Sequence, residues 1–233
     1  MLEVENLTSR YGRAQILHDI SLTVGETEVV ALLGRKGAGK STTMKSLMGI
    51  VRHKAGRIRY DGQDIIDRSS HVTCRAEIGY VPEGRRIFSG LTVEENLEVG
   101  RRDKRADTPE WTLEHLFVLF PNLRERRRNL GKHLSGGEQQ MLTIARTLMG
   151  NPKLVLLDEP SEGIAPVIVE QMATVIAELK REGLSVLISE QNLHFARLVS
   201  DRAYIIEKGA LRYDDSFADL DHHPEVSQKY LAV

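Results

Sequence analysis

The chain has 233 residues but only one cysteine, Cys74, so an internal disulfide framework is excluded. A lone thiol fits a reducing compartment, and Cys74 reads as a small buried or half-buried filler. No apolar run approaches the roughly 18 residues needed to cross a bilayer, so any membrane this protein serves is crossed by another chain. The opening MLEVENLTSRYG places acids where a secretory leader carries bases, and a cytosolic location is expected. Net charge is scarce too. Against 33 Asp and Glu stand 32 Lys and Arg, leaving -1 and no global field to draw nucleic acid or anionic lipid, so no nucleic-acid partner is expected. The run RERRR at 124–128 reads as a solvated helix end, and His222-His223 lacks companion metal ligands. Internal repeats and low-complexity linkers are absent, which points to one folded body.

What is present has two textures. The first third alternates apolar runs with turn signals: LEVENLTSRY, ILHDISLTV, EVVALLG and GRIRYDGQDI read as strands, EVVALLG as a buried one. After Lys40, STTMKSLMGIV is apolar at helical spacing and closes on a glycine, giving strand, glycine loop, helix. From about Ile87 to Gly150 the pattern is helical and arginine-rich, with Thr92 and Glu95 spaced as a capping box and Thr108-Pro109-Glu110 as a helix start. Trp111 and LEHLFVLF fit helix packing. The last third returns to βα alternation: KLVLLDE as a buried strand, a helix from Pro166 to Glu182 stopped by Gly183, LSVLISE as another strand, then a hairpin turning at Lys208-Gly209.

Residues 34–42, GRKGAGKST, match the phosphate-loop spacing: Gly34, Arg35, Lys36, Gly37, Ala38, Gly39, Lys40, Ser41, Thr42. Glycines permit a backbone path whose amides face phosphate oxygens, the following helix adds its positive end, Lys40 reaches the terminal phosphates and Ser41 can ligate Mg²⁺. A nucleotide is the natural ligand. The strand LVLLDE ends in Asp158 and Glu159, suited to holding Mg²⁺ through water and to orienting or deprotonating an attacking water. Such a strand is common in isolation; beside GRKGAGKST it turns the expectation from binding towards hydrolysis. A third string, LSGGEQQ at 134–140, opens a helix with a serine and two glycines, a second anion site.

GAGKST, LSGGEQQ and LLDEP together resemble the ABC ATPases over essentially the whole chain. The resemblance implies an α/β fold: a P-loop NTPase (RecA-like) core with an N-terminal antiparallel β region and an inserted helical subdomain, the core about 1–86 and 151–233 and the insertion about 87–150. It implies ATP and Mg²⁺, and a head-to-tail dimer with a second ATP-binding subunit or a second copy, in which Ser135, Gly136 and Gly137 close over the partner's nucleotide. It places Tyr11 where an aromatic ring stacks on adenine, Gln191 of SEQN where most members have a γ-phosphate histidine, and SEGIAP at 161–166 as the dimer-contact loop. Many members carry an aspartate where this chain has Ala165. In VPEGRRIF, Glu83 stands where a glutamine usually senses metal and water, and Arg85 and Arg86 are expected to face outward towards a membrane partner. These departures resemble the LivF-type ATP-binding subunits of branched-chain amino acid importers, which work with two transmembrane permease subunits and a solute-binding protein, on the inner face of the membrane. A non-transport ABC ATPase, an importer subunit for a related amide or organic acid, an inactive nucleotide-binding subunit, and a kinase or GTPase remain as alternatives, the last opposed by LSGGEQQ.

Overall fold

The computed structural model describes residues 1–103 and 110–231. In chain order come β1 (Leu2–Tyr11), β2 (Ala14–Val24), β3 (Val29–Leu33), α1 (Lys40–Leu47), β4 (His53–Tyr60), β5 (Gln63–Asp64), α2 (Ser70–Arg75) and β6 (Ile78–Val81). Helices α3 (Val93–Gly100), α4 (Leu113–Leu119), α5 (Pro121–Glu125) and α6 (Gly136–Leu148) follow. The chain then forms β7 (Leu154–Asp158), α7 (Pro166–Arg181), β8 (Ser185–Glu190), α8 (Leu193–Val199), β9 (Arg202–Glu207), β10 (Ala210–Ser216), α9 (Phe217–His222) and α10 (Pro224–Tyr230).

The strands make two sheets, an antiparallel one in the order β2-β1-β4-β5 and a six-stranded one in the order β10-β9-β3-β8-β7-β6. In the larger sheet β9, β3, β8, β7 and β6 run parallel and only β10 is reversed. Strands buried on both faces need apolar side chains at every position, which explains the unbroken runs VVALL and LVLL. Their alternate residues serve two separate cores. Val30, Leu32, Leu154 and Leu156 pack with Met44 and Leu47 of α1 and with Leu17 and Ile20 of β2. Ala31, Leu33, Val155 and Leu157 pack on the opposite face with Leu142 of α6, Met172 of α7 and Phe195 of α8. Leu97 of α3 and Phe117 of α4 belong to that same cluster, so these helices share the core of the sheet.

Local signals set several boundaries. Thr92 accepts from the Glu95 amide at 3.2 Å while Glu95 accepts from the Thr92 amide at 2.7 Å, closing the expected capping box on α3. Thr108 and Pro109 lie outside the described residues. Trp111 is buried and stacks on His115 with ring centroids 4.7 Å apart. In RERRR, Arg124, Arg126 and Arg128 are exposed, but Arg127 holds Glu94 with two bonds and lies over the Phe117 ring, pinning α3 to α4.

The β9–β10 turn does more than reverse the chain. Gly209 donates to the Ala38 carbonyl and accepts from the His18 amide, both at 2.7 Å, so the turn braces the glycine loop against β2. Its φ is +76°, and a Cβ there would stand 1.8 Å from the Ile16 carbonyl oxygen. Gly209→Ala is therefore expected to lower the unfolding free energy by about 2–5 kcal/mol, the sum of roughly 1–2 for left-handed backbone and 1–3 for overpacking. Urea denaturation of both proteins checks it.

Candidate functional site

Parallel strands release their chains at one edge of a sheet, and ligands of such sheets bind there. Here Leu33 pairs with Glu190, Asp158 with Ser189, and Val81 with Leu157, so the segments after β3, β8, β7 and β6 emerge together. Residues far apart in sequence are thereby brought within hydrogen-bonding reach.

The 34–42 segment wraps this edge. Gly39 takes φ +118° and ψ 0° as the N-cap of α1, and no side chain caps that helix. The first-turn amides of α1 are thus left for an anion, as the loop's sequence pattern requires. The Lys40 ammonium is buried, donating to the Gly34 carbonyl at 2.6 Å and the Arg35 carbonyl at 3.0 Å, with a Glu159 oxygen at 3.0 Å. Arg35 is exposed and reaches the Lys229 carbonyl of α10 at 3.3 Å. Lys36, also exposed, pairs with Glu162 at 3.1 Å, which raises its pKa. Ala38 is buried under the Gly209 turn, Gly37 sits at φ +81°, and the carbonyl of half-buried Thr42 accepts from Ser46.

Asp158 faces the start of α1. It accepts from Ser41 Oγ at 3.0 Å, Ser189 Oγ at 2.7 Å and the Tyr80 hydroxyl at 3.0 Å. Burial first, then the Asp158 charge, pushes the Tyr80 hydroxyl far above its ordinary range, so it stays a donor. Glu159 follows at φ +48°, a turn into the left-handed region that non-glycine residues adopt uncommonly. That turn lets both successive carboxylates reach the same edge, Glu159 taking Lys40 on one oxygen and the Gln191 amide at 2.5 Å on the other.

Beneath them lies Glu190, one of three residues at this edge, with Tyr80 and Ser189, to which the sequence alone assigns no role. Its carboxylate accepts from the amides of Ser161 at 3.0 Å, Gln191 at 3.2 Å and Asn192 at 3.3 Å, tying SEGIAP to SEQN. Burial pushes its pKa above the ordinary carboxylate value, against the pull of those amides. Its place inside the quoted SEQN string, at the end of an apolar strand, was the available signal.

Glu83 lines an open cleft of about 690 Å³ with Tyr80, Arg85, Arg86, Asp158, Glu162 and Gln139. A hydrogen bond shared with Glu162, then burial and neighbouring carboxylates, raises its pKa, whereas Lys36 lowers that of Glu162. The expectation that both arginines face outward is corrected for Arg85. Its guanidinium turns inward to donate to the Gly163 carbonyl at 3.2 Å and lies against Gly136. Arg86 is exposed.

Ser135, Gly136 and Gly137 stand apart from this assembly. Ser135 caps α6, accepting from the Glu138 amide at 3.2 Å, and Gly137 packs on Ile168; among the described residues none of the three bonds the 34–42 loop. Tyr11 is half exposed at the β1–β2 turn, paired with Ala14.

For Mg²⁺, the fit rests on the donor set. Ser41 and Asp158 put one hydroxyl and one carboxylate, both hard oxygen donors, beside the loop. That suits a cation which binds one or two carboxylates and takes its other ligands from water and phosphate.

The sequence profile of ABC transporters matches residues 17–162. The chain belongs to this family. As an ABC ATP-binding subunit it binds nucleotide and hydrolyses ATP. It is 44% identical over 231 residues to the high-affinity branched-chain amino acid transport ATP-binding protein BraG of Pseudomonas aeruginosa, covering 99% of both chains. The lipopolysaccharide export system ATP-binding protein LptB of Haemophilus influenzae is 38% identical, with 99% of this chain and 97% of that one covered. Among solved structures, an ATP-binding subunit of an ABC transporter superposes with a TM-score of 0.83 at 28% identity, covering 97% of this chain and 94% of the other. A nucleotide-free ATP-binding cassette at 24% identity shares the fold with a TM-score of 0.84, covering 98% and 97%.

Glu190 gives a test of how this ABC ATPase holds its edge together. Glu190→Ala strips the acceptor from three backbone amides; those of the exposed residues Gln191 and Asn192 can turn to water, so the expected cost is about 1–3 kcal/mol, that of the buried Ser161 amide left without a partner. Glu190→Gln isolates the charge. Because the folded-state pKa is raised, the folded protein holds the proton longer and this group's contribution to stability falls as pH rises through the raised pKa. The stability of the parent relative to Glu190→Gln should therefore decline from about pH 4.5 upwards, measured by chemical denaturation at a series of pH values.

Proposed function

We propose that this chain is the ATP-hydrolysing subunit of an importer for branched-chain or related amino acids, working on the inner face of the membrane with two transmembrane permease subunits. An external solute-binding protein delivers the cargo. The observation that carries the solute class is the 44% identity to BraG across 99% of both chains. No helix among the described residues is long and apolar enough to cross a membrane, so the translocation path belongs to the partners.

In this reading the 34–42 amides and Lys40 bind the β- and γ-phosphates of ATP, and Tyr11 stacks on adenine. Ser41 and Asp158, with Glu83 facing the same cleft, hold Mg²⁺. When bound, the ion neutralises phosphate charge and orients the terminal phosphoryl group. Glu159 accepts the proton of the attacking water while the water oxygen bonds to the γ-phosphorus and the bond to ADP breaks. Gln191, on the second oxygen of Glu159, holds that carboxylate in register and donates to phosphate; a side-chain amide cannot itself carry the proton. A phosphate arriving at Lys40 competes with Glu159 for the ammonium, which frees the base as the substrate binds.

The site is completed in trans. Ser135, Gly136 and Gly137 serve the nucleotide of the other protomer in a head-to-tail pair with a sister subunit or a second copy. The division into a core at 1–86 and 151–233 and a helical subdomain at 87–150 belongs to the same proposal, with α6 carrying the anion site within the helical subdomain. The 38% identity to LptB favours a second reading, a lipid-export subunit. Reconstitution with the cognate membrane subunits separates the two: stimulation of ATPase by binding protein loaded with a branched-chain amino acid supports import, and its absence with all amino acids tested removes it.

Lys40→Ala should abolish nucleotide binding, lowering affinity at least about 100-fold, roughly 2.7 kcal/mol. Glu159→Gln should keep affinity within about threefold, or roughly 0.7 kcal/mol, while ATPase falls to background. Equilibrium binding of a labelled ATP analogue beside phosphate release distinguishes the two roles, and equal loss of binding in both variants would remove the assignment.

A further inference from the structure

The inward turn of Arg85 joins pieces that the reaction scheme leaves separate. Its backbone is held in the left-handed region at φ +54°, and its carbonyl accepts from Thr143 Oγ1 of α6. The next carbonyl, Arg86, accepts from Arg146 of the same helix at 2.7 Å. The loop that follows Glu83 is therefore bonded along the side of α6. The Arg85 side chain then runs to the N-terminal end of that helix. A Cβ on Gly136 would lie 2.5 Å from Nη1 and 3.1 Å from Cζ, so the guanidinium rests directly on the glycine backbone. Its other nitrogen, Nη2, donates to Gly163 in SEGIAP at 3.2 Å.

Electrostatics alone would not put a cation there. A helix N-terminus carries partial positive charge and disfavours a guanidinium. Two features offset this. The Gly163 carbonyl takes one nitrogen, and the carboxylates Glu83 and Glu162 line the same cleft. The fork of an arginine can engage a carbonyl while lying flat on a neighbouring backbone; a lysine, with one point charge, cannot do both. Gly136 also gains a reason for being glycine that has nothing to do with phosphate.

We propose that Arg85 is a positioning residue: it registers the Ser135-Gly137 anion site and the SEGIAP loop against Glu83, and so governs how well one protomer closes on the nucleotide held by its partner. The proposal rests on the head-to-tail reading. A residue that only stabilised the loop would affect the chain's own nucleotide and its partner's without distinction. Arg85 should act on the second alone, because its contacts run to the parts offered to the partner and none reaches the 34–42 loop among the described residues.

The test starts from Glu159→Gln, in which ATP is held uncleaved, with ATP and Mg²⁺ and either a second copy or the sister subunit. Association is followed by sedimentation, and single-chain affinity by a labelled ATP analogue at concentrations below association. Adding Arg85→Ala is expected to weaken ATP-driven association at least about tenfold while single-chain affinity stays within about twofold. Arg85→Lys, which keeps charge and length, should show the same defect. Unchanged association in the Arg85→Ala protein overturns the proposal. Full association with lysine overturns it too, since charge alone would then suffice, and a parallel fall in single-chain affinity reduces Arg85 to a structural residue. If Glu159→Gln itself stays monomeric with both partners, the head-to-tail reading fails first, a result distinguishable because it appears before Arg85 is touched.

Discussion

In a parallel sheet every strand delivers its chain to the same edge, and the register among β6, β7, β8 and β3 decides which side chains meet there. Leu154 and Leu156 face the core shared with α1, so the alternation along β7 carries Asp158 to that face as well, where Ser41 awaits it. A slip of one residue would send Asp158 to the α6–α7 side and leave a carboxylate among leucines. Continued alternation would take Glu159 away from α1. The left-handed turn at Glu159 breaks the alternation, and its carboxylate reaches Lys40. A left-handed turn at one residue thus brings two adjacent acids to the same edge, one beside Ser41 and the other beside Lys40.

Charge at this edge is arranged with some economy. Lys40 and Glu159 are both buried, and each charge would be expensive alone; the two are paired at 3.0 Å and satisfied further by two carbonyls on one side and an amide on the other, which offsets the cost of burial. Asp158 is handled differently. Its partners are three hydroxyls, from Ser41, Tyr80 and Ser189, which satisfy its oxygens without cancelling its charge. A carboxylate held by neutral donors keeps its negative charge for a cation, whereas one held by arginine or lysine would not. The difference between two neighbouring acids therefore lies in what holds them.

Much of this was legible in the sequence because much of it is local. The glycine loop, the Thr92–Glu95 capping box, the Lys208-Gly209 turn and the apolar runs ending in Asp158 and Glu190 depend on residues within one or two turns of each other, where spacing and side-chain chemistry speak directly. Tyr80 bonding Asp158, and Ser189 supporting both acids, depend on neighbouring strands from distant parts of the chain, and no spacing rule connects them. Arg85 misled for a related reason: on a loop, a charged side chain is expected in water, and only the fold puts Gly136 and Gly163 on either side of it. Helices α2, α8, α9 and α10 have six or seven residues each, too few for a helical period to emerge.

The structural role of Ser135 and the ligand role proposed for it can occupy one residue without conflict. Ser135 accepts from the Glu138 amide, and Glu138 accepts from the Ser135 amide, a complete capping box that would justify S-x-x-E at any helix start. Yet that box uses a lone pair of the hydroxyl oxygen and leaves its proton free to donate. The cap fixes where the oxygen stands, and the free proton is then aimed by the same geometry that orders the helix. An anion approaching α6 would meet an immobilised donor at the positive end of a thirteen-residue helix, so capping α6 and the proposed binding of a phosphate held by another chain make the same demand on Ser135.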